Sequence, residues 1–141
     1  MSRSTEGPAA SEAALVGAAL AVRDRAYAPY SGHPVGAAIE DETGRVHVGC
    51  NVENAAYPQG VCAEASAISA MVAAGGRRII ALAIAGPGAA LCTPCGGCRQ
   101  KIREFAAPDT PILICTDAGV IGRYTLDALL PDSFGPDNLV G

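Results

Sequence analysis

A chain of 141 residues with 50% hydrophobic and 17% charged side chains is long enough for one domain with its own core and too short for two. Its net charge of −4 gives no general attraction to phosphate backbones, which argues against a nucleic-acid partner and for a small ligand. No stretch approaches the roughly 20 apolar residues of a membrane span, so no membrane association is expected.

Residues 13–22 are small and apolar enough to suggest a secretion signal. Glu6 and Glu12 lie ahead of that run against Arg3 alone, so the segment reads instead as a helix of the fold and the protein as cytoplasmic. Six cysteines, Cys50, Cys62, Cys92, Cys95, Cys98 and Cys115, in a reducing compartment point to metal binding or redox chemistry rather than disulfides.

Residues 1–10 are expected to form a disordered lead-in and residues 11–141 a single domain. Ser11 can cap a helix in which Leu15, Ala18, Ala19, Val22 and Ala26 recur at helical spacing until Pro29 stops it. Residues 35–40 and 45–50 read as strands joined by a hairpin turn at Asp41-Glu42-Thr43-Gly44, which puts Val46, Val48 and Cys50 on one face. After a polar loop over 51–60, residues 62–74 are rich in helix formers and end at Gly75-Gly76. Residues 79–85 are apolar with no wet face, as a central strand covered on both sides requires. Pro94 suits the first position of a helix that runs over 95–105 and ends before Pro108. Residues 111–115 make a further apolar strand, and a short helix over 125–130 closes at Pro131. A hairpin followed by two helix-then-strand units gives a mixed sheet flanked by helices, an α/β architecture.

The densest chemical signal is Cys62-Ala63-Glu64 together with Pro94-Cys95-Gly96-Gly97-Cys98. Each half begins a predicted helix, where unpaired amides and the partial positive charge of the helix end stabilise thiolates. Cys95 and Cys98, three apart, share a helix face. Three thiolates leave a tetrahedral zinc ion one open position, the pattern of a catalytic site, and a carboxylate beside it, Glu64, can carry a proton. Other readings of these cysteines stay open. Cys92, Cys95 and Cys98 also form C-x2-C-x2-C, but the next expected iron–sulfur ligand position is Ile102. A closed four-thiolate zinc would add Cys92 or Cys115. A Cys95-x-x-Cys98 redox pair lacks a preceding thioredoxin-like strand pattern.

Taken with their neighbours, these motifs resemble the small cytidine deaminase family. The likeness runs from about Tyr27 to Leu139 through Ala28-Pro-Tyr-Ser31, Val35-Gly-Ala-Ala38, Gly49-Cys-Asn-Val-Glu-Asn54, Cys62-Ala-Glu64, Pro94-Cys-Gly-Gly-Cys-Arg-Gln100 and Leu129-Leu-Pro-Asp-Ser-Phe-Gly-Pro136. The resemblance implies a three-layer α/β/α sandwich around a five-stranded mixed sheet, one zinc ion per subunit, and a homotetramer with shared active sites. The implied activity is hydrolytic deamination of cytidine and deoxycytidine in pyrimidine salvage. Cys62, Cys95 and Cys98 match the metal ligands, and Glu64 matches the proton shuttle. Asn51 and Glu53 match the pair that holds the ribose, as an amide and a carboxylate are suited to do. Ala55 and Tyr57 match positions lining the base or a neighbouring subunit, and Phe134 matches an aromatic that reaches the base from another subunit.

Two departures stand out. His33 occupies a position where many relatives stack a Phe on the pyrimidine. Ala65 follows Glu64 where many relatives carry an Arg that offsets the thiolate charge. A deaminase of another substrate, such as blasticidin S or guanine, shares the cysteine motifs, but Asn51-Val52-Glu53 and the Phe134 tail favour a nucleoside. The rival of a different class is a non-catalytic zinc module, which has no use for Glu64.

Overall fold

The computed structural model describes residues 7–139. Helix α1 (Gly7–Arg23) leads into a hairpin of β1 (Gly36–Asp41) and β2 (Val46–Cys50). Helix α2 (Ala63–Ala73), strand β3 (Ile79–Ala85), helix α3 (Gly96–Phe105) and strand β4 (Pro111–Thr116) follow. Strand β5 (Gly119–Thr125) and the short helix α4 (Leu126–Leu129) complete the chain's regular elements. The five strands form one sheet in the order β2-β1-β3-β4-β5. Strand β1 is antiparallel to both β2 and β3, β3 and β4 are parallel, and β5 returns antiparallel to β4. The sheet is therefore mixed, as expected.

That pairing fixes where the helices begin. Since β2 and β3 are both antiparallel to β1, they point the same way and end at the same edge of the sheet. The chain leaving β2 enters α2, and the chain leaving β3 enters α3, so both helices start at that edge. One intervening strand separates β2 from β3, a spacing of about 10 Å, which side chains from the two helix starts can bridge.

Strand alternation divides the core into two layers. Ala37, Ile39, Leu82, Ile84, Ile112 and Ile114 face α2 and α3, meeting Ala67, Ile68, Met71 and Ile102, with Leu126 of α4 in the same cluster. Ala38, Ala83, Ala85, Leu113 and Cys115 face Leu15 and Ala19 of α1. Burial of these side chains is the main stabilising term, and the α/β/α sandwich follows from it. Alanines on the α1 side permit close approach. At Gly36 a Cβ would stand 2.2 Å from the Ala19 carbonyl oxygen, and at Gly49 one would stand 2.3 Å from the Ala67 amide nitrogen. Only a residue without a side chain lets α1 settle on β1 and α2 settle on β2 at these depths.

Several sequence expectations need correction. Helix α1 starts at Gly7 and stops at Arg23, so Ser11 lies inside it rather than capping it, and residues 1–6 of the expected lead-in lie outside the described residues. Arg23 anchors the end of the helix by donating to the Gly86 carbonyl at 2.9 Å and to Asp117 at 2.6 Å, and beyond it the backbone turns through i→i+3 bonds to Ala26. Val46 and Val48 share a face but are exposed. Strand β2 is an edge strand, and its buried Gly49 lies under α2. Pro94 precedes the N-cap of α3, which is Cys95.

Strand β5 is not marked by periodicity, because its two glycines and Arg123 interrupt an apolar pattern. Nor is β3 dry throughout. Its register against β1 skips from Ala81 to Ile79, leaving Ile80 as the bulged residue, and the register of β5 against β4 skips from Gly122 to Val120, leaving Ile121. Both bulged isoleucines are exposed, as an unpaired extra residue is free to be.

The hairpin turn is built around one buried acid. Asp41 accepts from the Thr43 amide (2.8 Å), the Thr43 hydroxyl (2.7 Å), the Arg45 amide (3.1 Å) and the His47 ring (2.7 Å), with Arg45 at 3.3 Å. Burial alone raises its pKa, but the bonds from His47, Thr43 and Arg45 outweigh it and hold the carboxyl well below the usual carboxylate range. A group depressed in the folded state contributes stability above its unfolded pKa and loses it as pH falls through the folded value. Asp41→Asn is expected to cost about 2 kcal/mol near neutral pH, read as a lower urea midpoint at unchanged slope. The gap to the wild type should begin to narrow below about pH 4 and close only as pH falls through the depressed folded-state pKa.

Candidate metal centre and active site

Leaving β2, residues 51–53 run between two other segments. The Tyr27 amide donates to the Asn51 carbonyl (3.0 Å), the Glu53 amide donates to the Tyr27 carbonyl (2.8 Å), and Val52 exchanges two 2.9 Å bonds with Val61. Val61 hands the chain directly to Cys62, the extended N-cap residue of α2. Cys95 is the extended N-cap residue of α3, and Cys98 lies in that helix's first turn. The two helix starts thereby bring Cys62, Cys95 and Cys98 together, with their Sγ atoms all within 4.8 Å of one another. Among the described residues this is the one such cluster of metal-ligating side chains, and neither Cys92 nor Cys115 belongs to it. Cys115 lies across the sheet, its thiol donating to the Ile84 carbonyl, so a closed set with four thiolates is not assembled here.

The donor set fits zinc. A tetrahedral zinc ion bonded at about 2.3 Å to each sulfur needs the sulfurs about 3.8 Å apart, a separation compatible with a cluster whose sulfurs all lie within 4.8 Å of one another. The protonation preferences of the thiols also call for a cation. The Cys98 amide holds the Cys95 thiol below its ordinary pKa, whereas burial pushes Cys62 and Cys98 up. Three sulfurs this close ionise together only when a positive charge compensates them.

Glu64 lies in the first turn of α2 and is only 5% exposed. Burial pushes its carboxyl pKa up, against the opposing pull of its own amide, the Cys98 thiol and the Lys101 charge. A buried carboxyl with a raised pKa beside a metal-ligating cluster is placed to take up and release a proton. Lys101, one helical turn beyond Cys98, acts on Glu64 from α3; Ala65 next to Glu64 provides no charge.

The remaining expected site residues surround a nearby loop. An open cavity of about 320 Å³ is lined by Tyr30, Ser31, Glu53, Asn54, Tyr57 and Gly60. It unites Glu53 and Tyr57 of the expected substrate contacts, and the Tyr30 and Tyr57 rings stand 6.1 Å apart at 60°. Asn51, at the end of β2, accepts from the Val35 amide at 2.9 Å and donates to the His33 carbonyl at 3.0 Å. Its amide group thus fixes the loop before β1 while keeping one N–H and one lone pair free. His33 is exposed, with its Nε2 3.8 Å from Cys92 Sγ. Cys92 packs at the end of β3, where a Cβ on Gly86 would meet it, and it also borders the site through His33. Ala55 is exposed in the bend before Tyr57.

Phe134 is 57% exposed, so its ring is not part of this chain's own core. The tail that carries it is tied to α3. Gln100 donates to the Phe134 carbonyl at 2.8 Å, and Arg103 donates to Ser133 (2.8 Å) and Asp137 (2.7 Å). Tyr30, whose aromatic ring suits either a pocket neighbour or a core edge, lines the cavity, and Ser31, Asn54 and Gly60 are cavity walls that sequence reasoning did not assign to the site. The motifs Ala28-Pro-Tyr-Ser31 and Gly49-Cys-Asn-Val-Glu-Asn54 include Ser31 and Asn54 without giving them a role, and no local signal marked Gly60.

Comparison with known proteins agrees with this geometry. Residues 10–114 match the family model described as the cytidine and deoxycytidylate deaminase zinc-binding region. The chain is 39% identical over 125 residues to a cytidine deaminase of Sporosarcina psychrophila, covering 89% of this chain and 92% of that protein. It is 43% identical over 114 residues to one of Mycobacterium tuberculosis, covering 81% and 82%. The crystal structure of the cytidine deaminase from Burkholderia pseudomallei superimposes with a TM-score of 0.81 at 41% identity, covering 86% of this chain and 98% of that one. Motif, fold and cysteine cluster agree, and the chain belongs to the zinc-binding cytidine and deoxycytidylate deaminase family.

Proposed function

We propose that this protein hydrolyses the 4-amino group of cytidine and deoxycytidine, giving the uridine nucleoside and ammonia, with one zinc ion per subunit held by Cys62, Cys95 and Cys98. The observation that carries this reading is Glu64, buried in the first turn of α2 beside the three sulfurs. A purely structural zinc site has no use for a covered carboxylate at that place.

Bound there, zinc would supply an activated water of lowered pKa as the nucleophile. Glu64 would hold a proton on its carboxyl group and deliver it to N3 of the pyrimidine. The same carboxyl then collects the hydroxyl proton of the addition product and passes it to the departing amine, so each proton released is used once. Asn51 and Glu53 hold the sugar hydroxyls, Tyr57 and Ala55 border the nucleoside, and His33 stacks on the base. Phe134 reaches the base of a neighbouring subunit. The exposure of Phe134 and Tyr57, 57% and 77%, supports a homotetramer with shared sites, since large aromatic side chains are more often covered.

Loss of ultraviolet absorbance on mixing the protein with cytidine tests the reaction directly. Glu64→Gln is expected to slow turnover by about 10²–10⁴-fold while metal analysis still finds zinc. Equal rates in the two proteins would overturn the assigned role. Cys98→Ser is expected to lose both zinc and activity, and added zinc should restore little of either. For the shared site, Glu64→Gln and Phe134→Ala proteins, each impaired alone, should recover activity when unfolded and refolded together. No recovery would mean that each chain completes its own site.

A further inference from the structure

Glu53 is held more firmly than a surface carboxylate needs to be. Its Oε1 accepts from the Tyr30 amide at 2.9 Å and the Ser31 amide at 3.1 Å, and its Oε2 accepts from the Ser31 hydroxyl. Ser31 Oγ in turn accepts from the His33 amide at 3.0 Å, so its proton is directed at Glu53 and its rotamer is fixed from behind. A carboxylate offers about four acceptor positions. Two on Oε1 and one on Oε2 are used within the chain, leaving one on Oε2. Glu53 and Ser31 both line the cavity; Ser31 is exposed and Glu53 only half-buried, so packing alone does not hold either in place.

We infer that Ser31 is a positioning residue: its hydroxyl fixes Glu53 so that the remaining acceptor position on Oε2 is presented to a sugar hydroxyl of the substrate. The inference rests on the nucleoside reading above and adds to it a residue that need not itself touch the substrate. The charge state agrees, for the Ser31 hydroxyl is the leading influence that holds the Glu53 carboxyl below its ordinary pKa. Burial acts the other way, and the Ser31 and Tyr30 amides add to the lowering. An ionised, oriented carboxylate accepts a hydroxyl proton better than a mobile one, because less side-chain freedom is lost on binding.

The test compares cytidine with 2′,3′-dideoxycytidine, which lacks the hydroxyls that Glu53 would accept from. Ser31→Ala is expected to raise KM for cytidine about tenfold with kcat within about twofold, and to change KM for the dideoxy substrate by less than about twofold. Ser31→Thr, which keeps the hydroxyl, should behave as wild type. In a Glu53→Gln background Ser31→Ala should add less than about twofold, because the group it positions is already altered. A purely structural role would move both substrates alike. Equal changes on the two substrates, no change on either, or additive effects with Glu53→Gln would each overturn the inference. If Ser31→Ala fails to fold, Ser31→Cys carries the same comparison with the side-chain volume kept. A wild-type protein that leaves cytidine untouched would instead refute the nucleoside reading, and the inference would fall with it.

Discussion

The structure depends on two helices beginning at the same edge of one sheet. A cluster of three sulfurs is an unfavourable object in a folded chain, because thiolates repel and thiols in such a place fill space poorly. It persists where something compensates the charge. Two helix starts supply part of that compensation through unpaired amides and aligned peptide dipoles, and a divalent cation held by the three sulfurs would supply the rest. The strand order makes the meeting possible. With β1 antiparallel to both neighbours, β2 and β3 deliver their chains to one edge, and the turn into each helix places a cysteine at the N-cap. Were β2 parallel to β1, Cys62 would lie at the far end of the sheet from Cys95.

The packing that holds α2 in place is also the packing that places Glu64. Helix α2 lies against β2 at Gly49 with no room for a Cβ, and Ala67, Ile68 and Met71 seat it on β1 and β3. The covered side of its first turn is then the side that faces the sulfur cluster, so a carboxylate at position 64 is buried as a consequence of where the helix sits. Burial and function are coupled here. The raised pKa comes first from desolvation, and a helix seated less deeply would let water reach the carboxyl and lower it again.

Legibility in the sequence followed from how local each signal was. Strand β3, the hairpin turn and helix α2 are specified by contiguous composition, and their observed bounds differ from expectation by a residue or two, within the ordinary fraying of such boundaries. Helix α3 began later than expected because Cys95, not the residue before Pro94, acts as cap. Strand β5 was illegible because a bulge and two glycines break its period, and its pairing with β4 is a tertiary fact. The metal cluster was legible because two short motifs each carry their own chemistry. The relation of Ser31 to Glu53 was not, since 22 residues separate them and only the chain's path around Tyr27 and Val52 brings them together.

That path explains why the loop before β1 can serve both the fold and the pocket. Asn51 and Glu53 lie two residues apart on an extended segment, so their side chains leave the same face of it and reach the same neighbouring loop, Asn51 at His33 and Val35, Glu53 at Tyr30 and Ser31. Neither side chain is exhausted by these bonds, because an amide and a carboxylate each have more hydrogen-bonding positions than the loop requires. Two apolar residues at these positions would leave the loop amides unsatisfied, and two lysines would offer donors where acceptors are needed. An Asn and a Glu meet both demands at once, which is why the residues that shape the pocket are also the ones with capacity left for what enters it.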